Sequence, residues 1–172
     1  EHISPEEFIK QDFLKGIGIF GHRSLYVATY DEKVVGTLTF YPGASYTKLT
    51  VPTLFTMMSM FKFKQYIKQL KKLYTLNHLF LRPSKDALYI ANGYIDPDFR
   101  KPGVFSGLIT QAEDYALKRG IKKIECDINS NNLNSYKVHL FLGFKLVSEQ
   151  TYEGNTPLLS HIRRLSLNLN ED

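Results

Sequence analysis

The order of the apolar patterns predicts an α/β (α+β) fold: a mixed, mainly antiparallel sheet with a central parallel strand pair and helices on both faces. Three observations carry this expectation. A strand, a helix and a strand follow one another between Ala87 and Ile128, and such a unit makes a parallel pair with a right-handed crossover. Hairpin patterns flank it at 25–41 and 144–167, and hairpins make antiparallel pairs. The helical stretches are apolar on one side only, which suits the face of a sheet.

Each element has a local cause. Ser4-Pro5-Glu6-Glu7 opens the first helix, with Ser4 as cap, Pro5 in the first turn and Glu7 completing a capping box. Phe8, Ile9, Phe13 and Leu14 form its expected buried side, and "KGIGIFGHR" ends it. "LYVATYDEKVVGTLTFY" reads as two strands around the turn Asp31-Glu32-Lys33, rich in β-branched and aromatic residues. A long segment, Pro52 to Tyr74, places Phe63, Tyr66, Ile67, Leu70, Leu73 and Tyr74 at helical spacing. Lys62, Lys64, Lys68, Lys71 and Lys72 take the rest of that helix, and "RPSKD" breaks it.

"ALYIANGYI" is a nearly all-apolar strand, which predicts burial on both faces. Val104, Phe105, Leu108, Ile109, Ala112, Tyr115 and Ala116 then mark an amphipathic helix stopped by Gly120. Ile124, Cys126 and Ile128 alternate in a strand, and the turn "NSNNLN" leads to a short helix ending at Gly143. The strands "FKLVSEQTY" and "LLSHIRRLSL" close the chain around "EGNTP". The organisation expected is one domain over 1–172, with 52–80 as a helical insertion.

The chain has 172 residues, enough for one domain with a proper core. A net charge of +5 favours anionic partners without choosing among nucleic acid, a membrane surface and a phosphorylated ligand. Cys126 is the only cysteine, so an intrachain disulfide is excluded and a reducing, cytoplasmic location is expected. The most apolar run, "TLFTMMSMF", is far shorter than the roughly 20 residues of a membrane span, and no leader pattern opens the chain. Glu1 stands first, which suggests processing, trimming or excision from a longer protein.

Two glycine-rich stretches invite a phosphate reading. "GIGIFG", Gly16 to Gly21, matches a dinucleotide pattern but follows a helix and precedes a strand, the reverse of the required order, and is read as a turn. "DPDFRKPGVFSGL", Asp96 to Leu108, has the right context. A strand ends at Ile95 and a helix starts near Gly103, so open N–H groups and the helix dipole favour an anion there. Taken alone, it reads equally well as an ordinary helix start.

The stretch from Tyr94 to Phe144 resembles the GCN5-related N-acetyltransferase (GNAT) superfamily. Ile95-Asp96-Pro97, Phe99-Arg100, Gly103 and Gly143-Phe144 match its motif, as does the spacing from Arg100 to Gly143. The resemblance implies a central strand pair that splays apart, with the pantetheine arm of acetyl-CoA in the gap, bonded to strand backbone near Tyr94 and Ile95. Gly93 just before suits a bulge or a close approach. It implies a pyrophosphate on the loop of Arg100, Lys101, Gly103, Val104, Phe105 and Ser106, and contacts from Asn132 and Ser135. No metal is expected.

The departures from the family pattern are informative. Pro102 lacks an N–H, and Phe105 replaces a small residue, its ring expected to turn toward the core. His139 stands where the family usually has the tyrosine that protonates the departing thiolate. An imidazole can serve as that acid; Tyr136, one turn earlier, is the alternative, and a packed histidine without a chemical role is the other. Tyr89, Glu125, Asp127 and Glu149 are the candidates for a general base, each equally readable as an ordinary edge or surface residue, and none is mandatory for direct attack by an amine. The Met- and Phe-rich "LFTMMSMFKF" either walls an acceptor pocket or simply packs on the sheet. The family's first strand has no counterpart ahead of the helix at Ser4.

The resemblance thus implies an acyl-CoA-dependent N-acyltransferase, most simply an acetyltransferase acting on an amine. The alternative is a catalytically degenerate CoA-binding or regulatory module. Acetyl-CoA and an unidentified amine acceptor are the expected partners of a monomer or homodimer, with no nucleic acid and no membrane.

Overall fold

A computed structural model describes residues 3–76, 81–100, 103–151 and 161–169. Five helices and six strands follow the chain: α1 (Pro5–Lys15), β1 (Leu25–Tyr30), β2 (Lys33–Pro42), α2 (Tyr46–Met60), α3 (Phe63–Leu76), β3 (Ala87–Ile95), α4 (Val104–Leu117), β4 (Lys123–Asn129), α5 (Leu133–Phe141), β5 (Lys145–Thr151) and β6 (His161–Asn168). The strands form one sheet in the order β1-β2-β3-β4-β6-β5. Every neighbouring pair is antiparallel except β3–β4, as the crossover through α4 requires. The stretch "EGNTP" and the first residues of the last expected strand lie outside the described residues.

One face of the sheet carries the apolar core. Leu38 and Phe40 from β2, Leu88 and Ile90 from β3, Ile124, Cys126 and Ile128 from β4, and Leu165 from β6 alternate onto it. Leu108, Ile109, Ala112 and Ala116 of α4 close over them, with Phe144 after α5. The β1–β2 hairpin turns at Asp31 and Glu32, both at positive φ, the geometry that matches strand twist in a two-residue loop.

The opposite face is polar where it passes under β4 and β6. Arg164 grips Asp127 with two bonds, Nε to Oδ1 at 2.7 Å and Nη2 to Oδ2 at 2.6 Å, and Tyr89 donates to the same carboxylate at 3.0 Å. The side chains of Asp127 and Arg164 are 4% and 6% exposed. Arg164 also donates to the carbonyls of Leu81 and Arg82, while Glu125 accepts from Ser84 N and Oγ. These bonds fasten the chain that enters β3. Gly43 passes so close to the Ser84 carbonyl that a Cβ there would lie 2.0 Å from the oxygen, so no larger residue fits.

Four expectations are revised. First, the buried residue of α1 is Asp12, at 0% exposure, while Ile9, Phe13 and Leu14 are exposed. Asp12 Oδ2 accepts from Phe20 N and Thr53 Oγ1, so a hydrogen-bonded staple to α2 replaces apolar packing. Second, Ser4 caps α1 through Glu7 N, yet the Glu7 carboxylate bonds Gln11 Nε2 and the capping box is only half formed. Third, the helical segment begins at Tyr46, with Pro52 inside α2, and it breaks at Phe61 into a second helix, α3. Fourth, only the first half of β3 is buried: Ala87, Leu88 and Ile90 are covered, whereas Asn92, Gly93 and Tyr94 are exposed, because β4 has left its side by then.

"GIGIFG" is a tight corner. Gly16 ends α1 at φ 76, and a Cβ at Gly18 would lie 2.1 Å from the Asp12 carboxylate.

The buried pair makes a clear stability prediction. Arg164→Met leaves Asp127 charged and uncompensated, and should cost about 3–5 kcal/mol in urea unfolding. The double variant Arg164→Met, Asp127→Leu should recover most of that loss, because it removes both buried charges together.

Candidate active site: the gap between the parallel strands

β3 and β4 pair only from Ala87–Lys123 to Ile90–Cys126. Beyond this point β3 stays on β2 as far as Ile95, and β4 stays on β6 as far as Asn129. The strands part where β3 carries a bulge: Phe40 faces Ile90 and Thr39 faces Asn92, leaving Ala91 as the extra residue. On the gap side, backbone N–H and C=O groups of both strands lack a strand partner, and such groups demand water or a ligand.

A cavity of about 260 Å³ fills the opening. Leu38, Ile90, Phe105 and Ile128 supply apolar wall, and Asn92, Asp127, Asn129, Asn132, Ser135 and His139 supply polar groups. From the head of α4, Phe105 lines it, whereas Gly103 and Val104 line a neighbouring cavity of about 540 Å³ beside β1. Gly103 sits at φ 118 with nothing near a notional Cβ, and among the described residues no side chain caps the helix. The first intrahelical bond reaches only Gly107 N, at 2.8 Å from Gly103 O. The amides of Val104, Phe105 and Ser106 are therefore first-turn donors without intrahelical acceptors, at the positive end of the helix dipole.

The expected cofactor residues distribute as follows. Phe105, Asn132 and Ser135 line the cavity, and Asn132 caps α5 by accepting from Ser135 N at 3.1 Å. Gly103, Val104 and Ser106 form the head of α4. Arg100 is exposed and donates from Nε to Ile95 O at 3.2 Å. Tyr94 and Ile95 lie further along β3 than the lining residues, which run from Ile90 to Gly93. Lys101 and Pro102 lie outside the described residues, so the Pro102 question stays with the sequence. The Phe105 ring packs on the core and comes within 3.4 Å of where a Gly93 Cβ would stand. The bulge falls at Ala91, while Gly93 marks the close approach.

His139 is buried at 5.2 Å from the Phe105 ring and 5.1 Å from Phe144. Its Nδ1 lies 2.8 Å from Ser135 O. A carbonyl only accepts, so Nδ1 carries the hydrogen. Burial holds its pKa below the usual 6.5 despite that bond. The neutral ring then has a lone pair, not a proton, at Nε2, which is the opposite of what a poised acid needs. Tyr136 is not among the lining residues; the Arg163 guanidinium lies 4.6 Å over its ring.

Of the base candidates, only Asp127 lines the cavity. Burial, and then the Asp127 charge, push the Tyr89 phenol far up, so it stays a donor. Burial alone would raise Glu125, but bonds from Ser84 and Lys123 outweigh it and hold the carboxyl below its usual value. Glu149 pairs with Arg163 at 2.6 Å. Asn92 and Asn129 were not singled out from sequence; their only signal is their place just beyond the last parallel pair.

The sequence is similar to the model of the acetyltransferase (GNAT) family over residues 2–144. No curated protein matches it. Among solved structures, an acetyltransferase is 15% identical over 97% of this chain and 82% of its own, with a TM-score of 0.67. An N-acetyltransferase from Staphylococcus aureus Mu50 is 16% identical over 96% and 83%, with a TM-score of 0.68. A chain from Bacillus anthracis str. Ames, solved in complex with acetyl coenzyme A, is 16% identical over 84% and 61%, with a TM-score of 0.56.

His139 gives a pH signature. A histidine whose folded pKa is depressed binds its proton more readily when unfolded, so its stabilising contribution is present above about 6.5 and is lost as pH falls through that value toward the folded pKa. Between roughly pH 7.5 and 5.5 the wild type should lose more stability than His139→Gln. Nitrogen-detected NMR at about pH 6.5 should show a neutral ring protonated at Nδ1; an imidazolium signal would refute the assignment.

Proposed function

The chain belongs to the acetyltransferase (GNAT) family, and from that premise we propose that it moves an acetyl group from acetyl-CoA to an amine by direct attack. The observation that carries this reading is the coincidence of two features. The parallel pair opens immediately after Ile90–Cys126, and the glycine-headed α4, with no side-chain cap at Gly103, contributes Phe105 to the wall of that opening. The first supplies a slot with strand backbone on its walls; the second supplies donors for a pyrophosphate.

The residues then take these roles. The amides of Val104, Phe105 and Ser106, with Arg100, hold the pyrophosphate. Strand backbone bordering the gap bonds the pantetheine amides, and backbone N–H groups of β3 steady the developing oxyanion. Phe105, Ile128 and Leu38 exclude water. Asp127, the base candidate that lines the gap, serves the incoming amine through water, its carboxylate being held by Arg164 and Tyr89. The thiol leaves without a dedicated enzyme acid. Once the amine has added to the carbonyl carbon, its ammonium is more acidic than a thiol and can pass the proton to sulfur as the carbon–sulfur bond breaks.

A second reading, a CoA-binding module without turnover, is motivated by the neutral, packed His139 and by Tyr136 facing Arg163. Thiol release on a panel of amines separates the two: turnover rules out the module.

Acetyl-CoA should bind in calorimetry, and absence of heat at millimolar ligand would remove the assignment. Val104→Pro deletes one cradle amide at a helix position that accepts proline. It should weaken acetyl-CoA by about tenfold or more, the worth of one charge-assisted bond. S-acetylpantetheine, which lacks the pyrophosphate, should bind both proteins equally.

A further inference from the structure

The positive charge of this chain is concentrated in one place. Residues 42–85 hold eight of the 22 lysines and arginines and none of the 17 aspartates and glutamates, so the remainder carries 14 basic against 17 acidic residues and is net negative. Five of the eight lie on α2 and α3 and a sixth, Lys62, between them.

The same helices leave apolar surface open. On α2, Thr53, Thr56 and Met57 are buried, while Val51, Phe55 and Met58 are exposed. The spacing of four and three places these on one stripe. Phe55 is 60% and Met58 50% exposed. Lys48 stands one turn before Val51, and Lys62 lies just beyond the helix end; both are exposed. On α3, Lys64 and Lys68 are exposed, Tyr66, Ile67 and Leu70 are only half-buried, and Phe63 is exposed. None of the α3 side chains described is buried.

We propose that α2 and α3 together form a docking surface for an anionic lipid bilayer, lying in the plane of its interface. An exposed apolar stripe bordered by lysines fits a medium that is apolar at one depth and negatively charged just above it. Other occupants fit less well. A nucleic acid satisfies the lysines but leaves Val51, Phe55 and Met58 against water. A second copy docked on the same patch brings lysines against lysines across the two-fold axis. Among the described residues, no helix is long and apolar enough to cross a membrane, so the contact is peripheral. This departs from the expectation, drawn from sequence, of no membrane association.

Vesicle co-sedimentation tests the proposal. The protein should bind vesicles of phosphatidylcholine with roughly a third phosphatidylserine, release in high salt, and ignore phosphatidylcholine alone. Phe55→Ser, Met58→Ser and, separately, Lys64→Glu, Lys68→Glu should each weaken binding by about tenfold or more. Circular dichroism checks the fold of each variant; Phe55→Gln alone serves if the first double variant melts early. Failure to bind anionic vesicles at low salt overturns the proposal. So does full retention of binding by the apolar variants, or tighter binding to duplex RNA than to the vesicles with those variants unaffected.

Discussion

The parallel ladder between β3 and β4 holds for four residue pairs, Ala87–Lys123 to Ile90–Cys126, and the candidate site depends on where it stops. Up to Ile90 and Cys126 both strands bury alternate side chains in the same core. One residue later their loyalties diverge. β3 remains with β2 through the bulge at Ala91, and β4 remains with β6. Asp127, the first residue of β4 beyond the ladder, is held by Arg164 of β6. The ion pair that fixes the strand therefore also fixes one edge of the gap, and Asp127 is the one base candidate among the residues that line the cavity.

Side chains keep the opening from collapsing. Phe105, from the head of α4, reaches over Gly93 on one side and meets the edge of His139 on the other. His139 in turn leans on Phe144. This aromatic row links the head of α4 to α5 and to the residue that follows it. It also accounts for the state of His139. Two phenyl rings and a carbonyl surround it, and desolvation disfavours the imidazolium more strongly than the Ser135 carbonyl favours it. The same packing that makes His139 a good wall makes it a poor acid.

The element order, the crossover, the hairpins and the glycine-headed start of α4 were legible in the sequence, because each rests on a local pattern or on a motif with fixed spacing. What was not legible depended on partners distant in the chain. Asp12 is buried because Thr53 and Phe20 N satisfy it, and no periodicity in α1 announces a donor 41 residues away. The all-apolar look of "ALYIANGYI" predicted burial, yet Asn92 to Tyr94 are exposed, since burial requires a neighbouring strand that leaves. Asp127 read as one of several strand carboxylates. Only the register against Tyr89 and Arg164 separates it from Glu149, whose partner Arg163 sits nearer the surface.

A gap of this kind is an unfinished sheet, and that has an energetic consequence. Among the described residues, backbone groups on its walls lack a strand partner and the first-turn amides of α4 lack an intrahelical one, and such groups demand water or a ligand. On the proposed reading, a ligand carrying amides and a pyrophosphate would replace water on both sets without ordering new backbone, since β2 and β6 already hold the two strands in place. Affinity then rests on pre-organisation rather than on induced folding. A ligand that binds the folded chain alone also raises its stability in proportion to the logarithm of its concentration above Kd. The ladder stops early, and the rigidity of the outer strands lets the opening persist without it.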